Sequence, residues 1–127
     1  MAFTISVRSE NLASPTDVVQ DISASSTSQK PYAGAKTIWA IYVDNTLNTS
    51  TTVYFKMFDN SGTVTIGGGS GSEANVIIPV AGGTKKQITI DQGVRFANAV
   101  VYACVTGAAA SSSASPSNAV PISLLAT

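Results

Sequence analysis

Seven carboxylates and seven cations in 127 residues, with no histidine, are all the ionic chemistry this chain offers. Histidine is the side chain that titrates near neutral pH and the commonest metal ligand, so serine–histidine and cysteine–histidine catalysis have no base here. The carboxylates Glu10, Asp17, Asp21, Asp44, Asp59, Glu73 and Asp91 fall mostly in segments that read as turns or loops, where Asp hydrogen-bonds the local backbone. As structural, solvated groups they are ordinary; as a paired acid–base site they would need a clustering that the spacing does not supply. The residues therefore point to a non-enzymatic chain with no catalytic, cofactor-binding or metal-ligating set.

Other motifs reduce to structure in the same way. The glycine-rich run at 67–71 has neither the Lys-Ser/Thr nor the helix start that a phosphate cradle needs. Gly82-Gly83-Thr84-Lys85-Lys86 holds phosphate-loop residues in the wrong order and runs into a strand, so it reads as a hairpin turn. Asn48-Thr49-Ser50 fits a glycosylation sequon, but residues 1–8 show no basic segment leading into an apolar core, and the expectation is a chain made in a cytoplasm. The single cysteine, Cys104, cannot form an internal disulfide and reads as a small buried hydrophobe. Only 11% of residues are charged and the net charge is zero, which argues against free binding to nucleic acid and suits a subunit packed against copies or partners. There is no transmembrane run.

The elements that must position these residues are strands. Phe3, Ile5 and Val7 alternate with polar residues, the pattern of a strand with one apolar face. Residues 17–22 read as a short strand, or else as a single helical turn capped by Thr16, and 23–30 as a polar loop. The run at 36–43 is a strong strand, placing Trp39, Ile41 and Val43 on one face and Ile38, Ala40 and Tyr42 on the other. Residues 52–58 are expected to pair back on it as a hairpin, followed by a short strand at 63–66. The segment from 75 to 107 then holds three strand patterns, over 75–80, 86–90 and 94–105, separated by turns at 81–84 and 91–93. A small-residue loop at 108–118 leads to a last strand at 119–125, which Pro121 is expected to confine to an edge or a bulge.

Eight or nine short strands at regular spacing, with Gly, Asn, Asp and Pro in the turns, predict an all-β fold of about eight strands. The fold class is a single-domain antiparallel β-sandwich, either a jelly roll or immunoglobulin-like. Trp39 with Tyr102-Ala103-Cys104 has an immunoglobulin flavour, although the partner cysteine is missing. The expected core is Trp39, Ile41, Val43, Phe55, Ile88, Ile90, Val101 and Ala103.

Tyr42-Val43-Asp44-Asn45-Thr46, Val53-Tyr54-Phe55-Lys56-Met57-Phe58-Asp59, Ile77-Ile78-Pro79-Val80-Ala81-Gly82 and Gly93-Val94-Arg95-Phe96, before Val101-Tyr102-Ala103-Cys104-Val105-Thr106-Gly107, together resemble small virion proteins of tailed bacteriophages. In these an Asp-Asn-Thr turn, a Tyr-Phe-Lys-type strand, a Pro-x-x-Gly turn and a Gly-x-x-Phe element recur in that order. The match covers residues 38–107. It implies a head decoration or cement protein, or a tail or neck component, that assembles in the host cytoplasm and resides in the virion. The implied partners are the major capsid protein or other virion proteins and further copies of the chain, and there is no catalytic residue to carry over. Within one domain spanning 1–127, residues 1–8 are read as an exchanged or docking strand, with Phe3, Ile5 and Val7 as the candidate interface. The alternative is a tail, neck or fibre-associated module that binds a host receptor or glycan through the loop 44–51, with Trp39, Tyr42 or Tyr54 as stacking platforms.

Overall fold

Alternation of apolar and polar residues with period two commits a segment to a sheet with one buried face, a pattern that the strands Lys36–Asp44 and Ile122–Ala126 follow in their burial while others, Val100–Val105 above all, are buried on both faces. The computed structural model describes residues 3–8, 16–68 and 73–127, with backbone only for Val7, Arg8 and Thr16. Residues 9–15, Glu10 among them, and residues 69–72 of the glycine-rich loop lie outside the described residues. The strands are β1 (Thr4–Arg8), β2 (Thr16–Asp21), β3 (Gln29–Tyr32), β4 (Lys36–Asp44), β5 (Val53–Phe58), β6 (Val76–Val80), β7 (Lys85–Phe96), β8 (Val100–Val105) and β9 (Ile122–Ala126). They form two antiparallel sheets, one ordered β1-β2-β9-β4-β7 and the other β3-β8-β5-β6.

This order decides between the two sandwich topologies. The pairs β2·β9, β3·β8, β4·β7 and β5·β6 are nested, as if one long hairpin had been rolled up, and β4·β9 and β5·β8 close the two sheets. That is the jelly-roll arrangement of two Greek keys, with β1 added outside β2. An immunoglobulin domain would pair its second strand with its fifth, which here lies in the other sheet.

The core fills the space between the sheets with Val19, Ile38, Ile41, Val43, Val53, Phe55, Met57, Phe96, Tyr102, Cys104, Ile122 and Leu124, and Ile88 and Ile90 pack at its margin. Phe55 and Tyr102 meet with ring centroids 5.7 Å apart at a 30° tilt, a contact worth about 1 kcal/mol beyond its buried area. β8 is buried on both faces. Its Val101 and Ala103 join Phe58 and Val64 in a second cluster on the outside of the four-stranded sheet, where the segment 63–68 covers them.

Several elements depart from the periodic reading. Trp39 is not in the core: opposite β9 the register of β4 shifts between Ile38 and Ala40, so that Trp39 is an extra residue in a bulge, while opposite β7 the same step spans Val94 to Thr89. Ile38 takes the inward position instead and is fully buried. β4 and β5 form no hairpin, because they belong to opposite sheets. Residues 91–93 do not end a strand but bulge out of β7, where the pairing jumps from Val94 to Thr89 opposite β4. Segment 63–66 is a covering loop, whereas β3 emerges from the polar 23–30 stretch as an edge strand that tolerates Pro31. The last strand starts after Pro121 and is central rather than an edge.

Candidate functional site

Each described carboxylate with a side-chain partner is used in holding the fold. Asp21 is buried and accepts from Tyr102 Oη at 2.7 Å and from the Ser23 backbone N–H at 2.9 Å. Asp17 accepts from Tyr32 Oη at 2.8 Å and pairs with Lys36, whose Nζ lies 4.7 Å above the Tyr32 ring. The two tyrosine contacts tie β2 to β8 and β3 of the opposite sheet. Burial and these carboxylate acceptors push both phenols, Tyr102 and Tyr32, well above the usual tyrosine range. Asp44 accepts from the Thr46 hydroxyl and N–H, which hold it below the usual carboxylate range. At Asp59 desolvation opposes ionisation, but N–H donors from Ala97, Asn98 and Ala99 outweigh it and the pKa falls. Among the described residues no three His, Cys, Asp or Glu side chains converge as metal ligands.

At one end of the sandwich, three loops are knotted by asparagines that the Asp-Asn-Thr and Gly-Gly-Thr turns bring together. Asn45 is fully buried, and its Nδ2 donates to the carbonyls of Thr51 at 2.8 Å and Val80 at 3.0 Å. Its Oδ1 accepts from Asn48 Nδ2 at 3.0 Å, and Asn48 Oδ1 accepts from the Asn118 N–H at 2.9 Å. Gly82 lies against this knot so closely that a Cβ would fall 2.7 Å from Thr51 N and 2.8 Å from Asn48 O, a close approach that only glycine permits. Asn48 is 5% exposed, so the sequon is folded inward. The motifs that carried the family resemblance are thus fold-specifying here.

Two buried reactive groups are muted. Burial pushes the Cys104 thiol up to about 12, leaving little thiolate at neutral pH. Lys56 projects from the outer face of β5 and is 2% exposed, and its Nζ donates to the Ala109 carbonyl at 2.8 Å, clamping the loop that leads to β9. Desolvation lowers its pKa.

Among the described residues, one surface open to recognition lies on the five-stranded sheet. Its outer face carries a shallow cleft of about 170 Å³ lined by Val18, Ala40, Tyr42, Gln87, Ser123 and Leu125. Trp39 sits half-buried nearby, donating from Nε1 to Thr127 Oγ1 at 2.9 Å. Its ring covers Gly93, which has φ 68° and whose hypothetical Cβ would fall 3.3 Å from Trp39 Cε3. Tyr54, by contrast, lies on the other sheet, opposite Pro79 of β6 and Val105 of β8. The three aromatics proposed as stacking platforms therefore do not converge.

The predicted interface strand lies at the sheet edge. Phe3 packs against the core, while Ile5 is 41% exposed although its register partner Val19 is fully buried. Val7 pairs with Asp17 through the backbone. The signal that sequence reasoning missed is Lys56, a charged residue in an otherwise apolar strand. The fold and these surfaces define a single-domain jelly-roll sandwich. Comparison with protein-family models, with curated proteins and with solved structures finds no match for this chain.

Proposed function

We propose that this chain is a non-enzymatic structural subunit of a virion, a decoration or cement protein that binds a phage head surface and stabilises the particle. The observation that carries the reading is the strand order β1-β2-β9-β4-β7 over β3-β8-β5-β6. The jelly roll is a recurrent scaffold of capsid and lectin domains and of metal-binding cupins, an analogy at the level of fold. A chain without histidine is poorly equipped for the last of these. The motif resemblance and the low charge, 11% of residues with a net charge of zero, favour the capsid role, since such a subunit docks through apolar area and main-chain hydrogen bonds. Part of the four-stranded sheet's outer face is covered by the segment 63–68, while the five-stranded sheet keeps an open aromatic and aliphatic face, and that asymmetry suits a subunit with one side against a particle.

The cleft beside Tyr42 favours one second reading, a receptor- or glycan-binding module of a tail, neck or fibre. Particles purified on a density gradient separate the two. The decoration role expects the chain at a copy number comparable to the major capsid protein, with antibody label over the heads and reduced heat resistance when it is deleted. Label confined to the tail, or absence from purified particles, refutes it.

A further inference from the structure

Among the described residues, three of the four sheet edges are guarded and one is not. An edge strand exposes unpaired N–H and C=O groups, and proteins blunt it with proline, charge or bulges. β3 carries Pro31 and a register shift. β6 carries Pro79, whose carbonyl also accepts from Lys86 Nζ at 2.6 Å. β7 has exposed Lys85 and Lys86 and the bulge at 90–93 with Gly93 in the left-handed region. β1, Thr-Ile-Ser-Val-Arg, has no proline, glycine or bulge, and its register with β2 runs unbroken from Thr4 to Arg8. Among the described residues nothing pairs with its outer edge.

The face of β1 is open as well. Five strands lie over four: β2 reaches β3 through Tyr32 and Asp17, and β7 reaches β6 through Lys86 and Pro79. β1 therefore overhangs the smaller sheet. Its inward position at Ile5 keeps the apolar residue that the pattern demands but lacks the opposing sheet that would cover it, hence the 41% exposure.

We infer that β1 pairs antiparallel with β1 of a second copy, joining two five-stranded sheets into one of ten strands. The occupant follows from the guards. If a copy meets another edge to edge, its one receptive edge is again β1, so the contact is isologous and closes as a dimer; a β1-to-β7 or β1-to-β3 contact would be heterologous and build a ring or a filament. A two-fold axis through Ser6 places position 5 opposite position 7 and position 4 opposite position 8. Arg8, the only charged residue of the strand, then avoids its own copy. Ser6 is exposed and meets itself.

This goes beyond the virion reading and fails separately from it. A chain that is monomeric and yet labels heads overturns the pairing alone, whereas a β1 dimer absent from particles overturns decoration alone. The test uses Ser6→Lys and Ser6→Glu in the full chain, followed by sedimentation across a dilution series. Ser6 is exposed, so both variants should keep the unfolding temperature of the dilute parent. The parent should sediment as a concentration-dependent dimer with nothing larger. Each variant alone should associate about tenfold or more weakly, because like charges face each other across the axis, and an equimolar mixture should recover the dimer as a heterodimer. Amides of residues 4–8 should gain hydrogen-exchange protection only at dimerising concentrations. A monomeric parent, open-ended oligomers, variants that dimerise like the parent, or a mixture without recovery overturns the inference.

Discussion

Asn45 is the most heavily committed side chain in the protein, and the consequence of changing it can be worked through. Asn45→Ala removes the Nδ2 bonds to the Thr51 and Val80 carbonyls and the acceptor for Asn48 Nδ2. Each neutral hydrogen bond is worth about 1 kcal/mol net, with more lost where a buried group is stranded, so the expected loss is about 3 kcal/mol. In a domain of 127 residues that lowers the unfolding temperature by roughly 10 °C. Asn45→Asp keeps the shape but turns a carboxyl towards those two carbonyl oxygens. At neutral pH it should cost at least as much as the alanine variant. Burial and the facing carbonyls raise the folded pKa of the introduced carboxyl above its unfolded value of about 3.9. The native state then holds the proton more tightly than the unfolded chain. The acid form's contribution is complete below the unfolded value and is lost as pH rises through the folded one. The gap between Asn45→Asp and the parent should narrow on acidification, while that of Asn45→Ala stays level. Urea denaturation followed by circular dichroism across a pH series reads both. An Asn45→Ala loss within about 0.5 kcal/mol of zero, the range of an ordinary surface change, or a pH-independent Asn45→Asp gap would refute the reasoning.

Lys56→Met should be neutral or stabilising by up to about 2 kcal/mol, because a buried cation held by the Ala109 carbonyl is replaced by an apolar chain of similar length. Since the folded pKa of Lys56 is lowered, the unfolded chain holds a proton that the fold releases between that value and the ordinary lysine range. The parent should therefore gain stability relative to Lys56→Met as pH rises through that window, and denaturation curves with parallel pH dependence would contradict this. Gly93→Ala forces a side chain into the left-handed region and against Thr37 Cγ2 and the Trp39 ring, and should cost about 2–3 kcal/mol. Trp39 is the sole tryptophan, so its emission should shift to the red in that variant, and unchanged emission with unchanged stability would place the indole elsewhere.

How much of this could be read from the residues alone depends on the range of the interaction involved. Strand content follows from local alternation, and β1, β4, β5 and β6 stand close to their expected spans; Ile41, Val43, Phe55, Val101 and Ala103 are buried as expected. Cys104 is buried too, because an apolar run rich in β-branched residues has nowhere else to go. The candidate interface was visible as the alternation of Phe3, Ile5 and Val7, a purely local pattern.

Tertiary structure decided the rest, since period-two alternation says nothing about which strand lies beside which. The apparent β4–β5 hairpin is a crossing between sheets, and the choice of jelly roll over immunoglobulin order rests on long-range pairs such as Val19 with Leu124 and Phe55 with Cys104. A one-residue bulge moved Trp39 from the core to the outer face, a shift that no window of local hydrophobicity registers because its cause is the register with β7 and β9. Asn45 reads as a turn residue and Asn48 as the start of a glycosylation sequon, and both are buried because three loops distant in sequence close over them. Whether an apolar strand is covered depends on the number of strands facing it. That is why the sequence alone marked Ile5 as apolar, and only the mismatch of five strands against four left it exposed.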